Sequence, residues 1–119
     1  MMKIQIGDQI LTASFAGNSS ADALKAMISK GPVTIQMDDY AGMEKVGSLG
    51  TSLPTNDEQI TTEAGDIILY QGDKLVIYYA TNSWDFTRIG KINDTASSDL
   101  RKILGSGSVT VTLSLDEKE

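Results

Sequence analysis

Residues 66–80 read DIILYQGDKLVIYYA, the stretch around which the fold can be built. Two strand-like runs, residues 66–70 and 74–80, flank Gln71-Gly72-Asp73, and this arrangement predicts a β-hairpin. Both runs are apolar at consecutive rather than alternate positions. Because neighbouring side chains of a strand point to opposite faces, we expect this hairpin to be central and covered on both sides.

Further segments on either side of this hairpin also favour strands. In residues 33–37 and 109–115, apolar side chains alternate with polar ones, so one face of each strand is expected to be buried. Residues 3–6 and 9–15 flank Gly7-Asp8, a pair that favours a tight hairpin turn. Residues 86–92 complete the set.

Two short helices are predicted between these strands. Residues 20–29 carry apolar side chains at helical spacing, with the Ser19 hydroxyl as the expected N-terminal cap and Lys30-Gly31-Pro32 as the end. A second, shorter helix is expected to end at Gly105, because glycine readily adopts the turn that follows a helix.

Residues 38–65 are predicted to be a long irregular stretch, within which residues 44–46 can pair as a short strand. Irregular stretches of this length are uncommon in compact domains and are often functional. The segment Ser52-Leu53-Pro54-Thr55-Asn56 is expected to order the loop, because the proline ring fixes one backbone angle. Contact with a ligand is the alternative role for this segment.

The order of these elements indicates the fold class. The strands outnumber the helices and do not alternate with them, which argues against a parallel sheet with crossover helices. We therefore expect a mainly β fold, a closed or nearly closed antiparallel barrel with helices at its ends. Residues 1–119 are expected to form one domain, since a chain of this length is too short for two ordinary ones.

Composition excludes several classes of function. The chain has no cysteine and no histidine, which removes thiol nucleophiles, thiolate metal sites and the usual general base. The net charge of −6 makes nucleic acid a poor partner. No run approaches the ~18 apolar residues that span a bilayer. We expect no cofactor, no metal site and no membrane contact, and a cytoplasmic location.

Four sequence segments occur in a characteristic order. They are KIQI at residues 3–6 with the helix that follows, LPTN at 53–56, AGDIILY at 64–70, and FTRIGKI at 86–92 followed by a short helix and GSGSVTV at 105–111. With these segments in this order, the chain resembles the bacterial cyclophilin-like domain proteins, small stand-alone relatives of the peptidyl-prolyl isomerases. The resemblance implies a cyclophilin-like closed antiparallel β-barrel of about eight strands with two short helices.

The resemblance extends only in part to an isomerase active site. Isomerase-active cyclophilins carry an arginine within a Phe-His-Arg motif and a Gln-Gly-Gly-Asp segment, and this chain has neither motif. The nearest match is Arg88, which follows Phe86 by two positions. The resemblance therefore implies Arg88 as the candidate catalytic donor and Phe86 as part of a proline pocket. The alternative for Arg88 is a strand arginine that packs its stem and pairs with a surface carboxylate.

Aromatic and methionine side chains near the predicted loops indicate a binding patch. Tyr40, Met43, Trp84 and Phe86, arranged around Arg88, are the candidate ligand-binding residues at the barrel mouth, because such side chains offer large contact areas. The alternatives place Phe86 in the core and make Trp84 a half-buried loop anchor.

Three functions are compatible with these features. The first is a module that binds a peptide or a small molecule at the barrel mouth. The second is a weak, divergent peptidyl-prolyl isomerase, in which Arg88 donates a hydrogen bond to the prolyl nitrogen and so weakens amide resonance. The third is a structural or regulatory protein that binds another protein through an exposed sheet edge.

Overall fold

Nine strands and two helices form within residues 1–40, 44–93, 95, 97–105 and 107–115, the parts of the chain that the computed structural model describes. The mainly β prediction is therefore confirmed. In chain order the elements are β1 Met2–Ile6, β2 Gln9–Phe15, α1 Ser19–Ser29, β3 Val33–Tyr40, β4 Glu44–Ser48, β5 Glu58–Thr62, β6 Asp66–Tyr70, β7 Lys74–Tyr78, β8 Asn82–Asn93, α2 Ser97–Leu104 and β9 Val109–Leu115.

Eight of the described strands form a closed antiparallel ring. Around it the order is β2, β1, β9, β3, β4, β7, β6 and β8, and β8 then pairs with β2 to complete the circle. β5 lies outside the ring and pairs with the first half of β8, from Asn82 to Phe86. The predicted closed antiparallel β-barrel of about eight strands with two short helices is confirmed.

Alternate strand residues and both helices build one apolar core inside the ring. Ile67 and Ile77 of the β6–β7 hairpin belong to it, together with Leu24 of α1 and Leu104 of α2. Because each strand of the ring has a strand neighbour on both sides, the helices can reach this core only through the open ends, which they cover. Within the described residues, neither helix is long and apolar enough to cross a lipid bilayer.

A second, smaller apolar cluster lies on the outside of the ring. Ile68 of β6 and Val76 and Tyr78 of β7 point away from the interior and pack with Phe86 of β8. The β6–β7 hairpin is thus buried on both faces, as its consecutive apolar residues predict.

The predicted irregular stretch, residues 38–65, contains more regular structure than its sequence indicates. β3 extends to Tyr40, and both β4 and β5 fall within the stretch. The sequence of β5, EQITT, has a single apolar residue, Ile60, so it lacks the alternation that marks a half-buried strand. β5 forms because β8 offers it a pairing partner far along the chain.

The loop before β5 is held by α1 and β8, which agrees with its predicted ordering role. Asn56 Nδ2 donates to the Ser19 hydroxyl at 2.8 Å, and the Asn56 amide donates to Thr87 Oγ1 at 2.8 Å. The prediction that Ser19 caps α1 is wrong. Asn18 Oδ1 accepts from the Ala21 amide at 2.8 Å and caps the helix, which leaves the Ser19 hydroxyl for the loop.

The ring closes where β2 meets β8. Phe15 of β2 is the register partner of Gly90. The two backbones approach so closely that a Cβ atom at Gly90 would lie 2.1 Å from the Ser14 carbonyl oxygen. Glycine is therefore required at this point of the pairing.

Gly90→Ala is expected to lower the free energy of unfolding by at least about 2 kcal/mol, because the added methyl group forces β2 and β8 apart. Urea denaturation followed by circular dichroism measures the loss. Gly17→Ala is the matched control, since a Cβ atom there would meet nothing within 4 Å. Equal free energies of unfolding for the two variants would contradict the close approach of the strands.

Candidate functional site

A groove of about 410 Å³ lies on the outer wall of the barrel, above the outer apolar cluster. Sites for small molecules commonly have volumes of about 300–1,000 Å³. The groove is lined by outward-facing side chains from β3, β4, β6, β7 and β8. These side chains are Tyr40, Glu44, Val46, Tyr70, Lys74, Tyr78, Asn82, Trp84 and Phe86.

Aromatic rings form the floor of the groove. The first half of β8 leaves the ring of strands to pair with β5, and this brings Phe86 over the outer face of β6 and β7. The Phe86 ring centroid lies 5.7 Å from that of Tyr78 and 6.2 Å from that of Tyr70, with the second pair edge-to-face. These contacts hold the rings in place, so the floor is formed before any ligand arrives.

Two exposed aromatic side chains stand at the rim of the groove. Tyr40, at the end of β3, is 62% exposed, and Trp84, on the first half of β8, is 60% exposed. Exposed aromatic residues beside an apolar floor are typical of binding surfaces. Trp84 is also the chain's single tryptophan, so tryptophan fluorescence reports on this groove.

A buried carboxyl group lies between two of these tyrosines. Strand register aligns Tyr40 of β3, Glu44 of β4 and Tyr78 of β7 in one row across the outer face. Glu44 is 7% exposed. Burial raises the pKa of the Glu44 carboxyl above its usual 4.5; a hydrogen bond from Tyr78 opposes this rise, and the charge of Asp39 adds to it. The loss of hydration is therefore the largest influence on this group.

The Tyr78 hydroxyl is a polar neighbour of the Glu44 carboxylate. It donates to Glu44 and accepts a hydrogen bond from Asn82 Nδ2 at 3.3 Å. Burial, opposed by the Asn82 hydrogen bond and reinforced by the charge of Glu44, raises the pKa of Tyr78 to about 12. The hydroxyl thus keeps its proton at neutral pH and remains a donor to the carboxylate.

Lys74 lines the opposite end of the groove. It precedes Tyr78 by four positions on β7, which corresponds to roughly 13 Å along a strand. Its ammonium group lies 3.2 Å from Asp73 Oδ1, in an exposed ion pair. Lys74 is therefore paired with Asp73, and none of the ion pairs among the described residues joins it to Glu44.

The groove brings together part of the predicted ligand-binding set. Tyr40, Trp84 and Phe86 line it, whereas Arg88 is not among its lining residues. Met43 lies outside the described residues. The groove is on the outer wall of the barrel rather than at the barrel mouth, where the patch is predicted, because β8 extends past the ring on that wall.

Sequence reasoning missed Glu44, Tyr70 and Tyr78 as groove residues. Glu44 falls in the stretch predicted to be largely irregular, so nothing in the sequence indicates that its side chain points to the outer face of the barrel. Tyr70 and Tyr78 did have a sequence signal, because each is an aromatic residue with a polar hydroxyl in an otherwise aliphatic hairpin. Their shared face follows from strand alternation, but the open space above it depends on β8.

Arg88 forms an ion pair on the outer face of β8. Its Nη1 atom lies 3.2 Å from Asp66 Oδ1, and Lys91 Nζ approaches the same oxygen at 3.5 Å. Asp66 is buried, and no donor among the described residues meets its Oδ1 with hydrogen-bond geometry, so charge alone holds the pair. This arrangement agrees with the alternative interpretation of Arg88 as an ion-paired strand residue, except that its partner, Asp66, is buried rather than at the surface. The catalytic roles of Arg88 and Phe86 stay predictions.

Glu44→Gln is expected to raise the free energy of unfolding at neutral pH, because it removes a charge from a desolvated position and keeps an oxygen for Tyr78. A raised carboxyl pKa means that the native chain loses stability as pH rises through that pKa. The stability advantage of the variant should therefore vanish well below pH 4.5 and grow as the pH rises above 4.5. Urea denaturation at a series of pH values measures it, and a pH-independent difference would contradict the assignment.

Arg88→Ala is expected to lower the free energy of unfolding by about 1–2 kcal/mol, because the buried Asp66 carboxylate loses its nearest cation while Lys91 remains. Thermal and urea denaturation measure the change. Lys102→Ala, at an exposed position of α2, is the matched control and is expected to leave stability nearly unchanged. A loss that persists in an Asp66→Asn background would show that Arg88 stabilises the barrel in another way.

Comparison with known proteins places the chain among proteins of one fold. Among solved structures, the chain is similar to McbB, solved in complex with tryptophan, with a TM-score of 0.71 at 12% sequence identity. That match covers 100% of this chain and 46% of McbB, so the chain spans less than half the length of that protein. At this identity the likeness concerns the fold alone. No curated protein matches the chain.

The sequence itself identifies the family. Residues 4–114 match the model of the Cyclophilin-like family, which leaves only a few residues unmatched at each end. Apart from Lys3, the four segments that resemble cyclophilin-like proteins lie within this range. The chain belongs to the Cyclophilin-like family.

Proposed function

We propose that this chain is a binding protein whose outer groove holds a small ligand or a peptide. One observation carries the proposal, the groove of about 410 Å³ with its preformed aromatic floor and its two exposed aromatic residues, Tyr40 and Trp84. Sites that bind small molecules are concave and mostly apolar, with a few polar groups that set orientation. Glu44, Tyr78 and Asn82 supply such polar groups here.

The structural neighbour supports the choice of a small ligand. McbB was solved in complex with tryptophan, an amino acid, and it shares the fold of this chain. A cyclophilin-like barrel can therefore belong to a protein that binds a single small molecule. We transfer no residue from McbB, because the identity of 12% is too low for that.

A weak, divergent peptidyl-prolyl isomerase is the alternative among enzymes. Such an enzyme needs a donor directed at the prolyl nitrogen of a bound peptide. The candidate donor, Arg88, pairs with Asp66 and does not line the groove, and the cation that does line it, Lys74, pairs with Asp73. The arrangement therefore favours binding over isomerisation.

One observation favours a second candidate, a protein-interaction module. Among the described strands, β5 has a strand neighbour on one side only, namely β8. An edge of this kind can receive an extended segment of a partner protein through backbone hydrogen bonds. The exposed positions of β5, such as Glu58 and Gln59, leave room for such a segment.

Titration of isotope-labelled protein with Xaa-Pro peptides and with free amino acids tests the binding proposal by NMR. We expect chemical-shift changes for the amides of Tyr40, Tyr78, Trp84 and Phe86. Tyr40→Ala should weaken binding by about tenfold, because the rim loses an aromatic contact. Ile10→Ala, which truncates an exposed residue of β2 outside the groove lining, is the matched control and should leave binding unchanged.

The pattern of shifts also separates the candidates. Changes confined to the β5 backbone would favour the protein-interaction module. The absence of changes at the groove with every member of the panel would contradict the binding proposal.

A further inference from the structure

Glu44 is a buried carboxylate that the described part of the chain leaves without a cation. Four described basic residues form ion pairs with carboxylates other than Glu44: Lys45, Lys74, Arg88 and Lys91. None of the ion pairs among described residues includes Glu44. Among the described side chains, the group whose hydrogen bond lowers the pKa of Glu44 is the uncharged Tyr78 hydroxyl. The carboxylate therefore enters the groove with its charge unbalanced.

This situation is costly for the folded protein. A buried charge without a partner is destabilising, and the raised pKa of Glu44 reflects that loss of hydration. An acidic residue that only had to accept a hydrogen bond from Tyr78 could be replaced by glutamine at lower cost. A glutamate rather than a glutamine at this position is explained if a positively charged ligand binds next to Glu44.

The aromatic residues around Glu44 favour the same kind of charge. Tyr40 and Tyr78 flank it in the transverse row, and Trp84 and Phe86 line the same groove. The faces of such rings attract cations, and ammonium groups with alkyl substituents are commonly held among several rings. The net charge of −6 also raises the local concentration of small cations around the protein.

The positive charge of Lys74 does not oppose this arrangement. The Lys74 backbone lies roughly 13 Å from the Glu44 row along β7, beyond the Debye length of about 10 Å at roughly 0.1 M salt. Its ammonium group is also paired with Asp73. The end of the groove near Glu44 is therefore negative while the opposite end is close to neutral.

We propose that the ligand of this groove is a small organic ammonium ion, with Glu44 as its counter-ion and Tyr40, Tyr78 and Trp84 as the rings that enclose its alkyl groups. The inference rests on the proposed binding function of the groove and names the chemistry of the ligand. The volume of about 410 Å³ suits a single small molecule.

Choline and 3,3-dimethylbutan-1-ol form the probe pair that tests the inference. The two molecules have nearly the same shape, and only choline carries a charge. Trp84 fluorescence follows binding directly, because no other tryptophan contributes to the signal. Choline is expected to bind at least about tenfold more tightly than the neutral alcohol.

Glu44→Gln separates the role of charge from the role of shape. It is expected to weaken choline binding by about tenfold and to leave binding of the alcohol unchanged, since only the ion pair is lost. Glu63→Gln is the matched control: it makes the same change in net charge at an exposed position that does not line the groove. It should leave choline binding unchanged. Circular dichroism confirms that each variant is folded.

Several outcomes would overturn the inference. Equal binding of choline and the alcohol, or undiminished choline binding to Glu44→Gln, would remove the role of the charge. Binding of a lysine-containing peptide without binding of choline would show that the occupant is not a small molecule. If neutral ligands shift the groove amides but choline does not, the binding function stands and the ammonium inference fails. If no probe shifts these amides, both fail.

Discussion

The pairing of β2 with β8 is the constraint on which the rest of the structure depends. It closes the ring, and it uses only the last four residues of β8, from Gly90 to Asn93. Since β8 has twelve residues, its first half extends beyond this closure and pairs with β5 instead. The same extension carries Trp84 and Phe86 onto the outer wall. The groove thus lies on the wall where β8 continues past the closure of the barrel.

The β6–β7 hairpin explains why the outer wall has a groove there. Its inward side chains, such as Ile67 and Ile77, belong to the barrel core, while Tyr70 and Tyr78 face outward. Exposing this aromatic outer face to water would cost free energy, so burying part of it stabilises the fold. Phe86 covers part of it, with an edge-to-face contact to Tyr70 and a tilted contact to Tyr78. The part that Phe86 does not cover is the floor on which a ligand can lie.

The fold could be predicted from the sequence further than the site could. The β6–β7 hairpin and β9 have patterns that depend only on their own residues, so alternation and consecutive apolar runs were sufficient. β5 could not be predicted in this way, because it forms only by pairing with β8. The cap of α1 could not be predicted either, because Asn18 and Ser19 can both accept a hydrogen bond at the start of the helix and only the structure shows that Asn18 does. For the same reason the aromatic rim residue Trp84 could be proposed from composition, whereas Glu44 could not. The environment of the Glu44 carboxylate is formed by three strands, β3, β4 and β7, whose pairing the sequence pattern does not reveal.

The first two residues of β4 show how the two faces of the wall differ. Glu44 and Lys45 are neighbours in sequence but point to opposite sides of the sheet. Lys45 is fully buried on the inner side, where its ammonium group meets Asp39 Oδ1 at 3.1 Å and the Gly107 carbonyl oxygen at 2.6 Å. Each charge is costly to bury, but the fold supplies a counter-charge for Lys45. For Glu44 it supplies a neutral hydroxyl, that of Tyr78. The fold therefore balances the charge of the inner residue, whereas none of the ion pairs among the described residues balances that of the outer one.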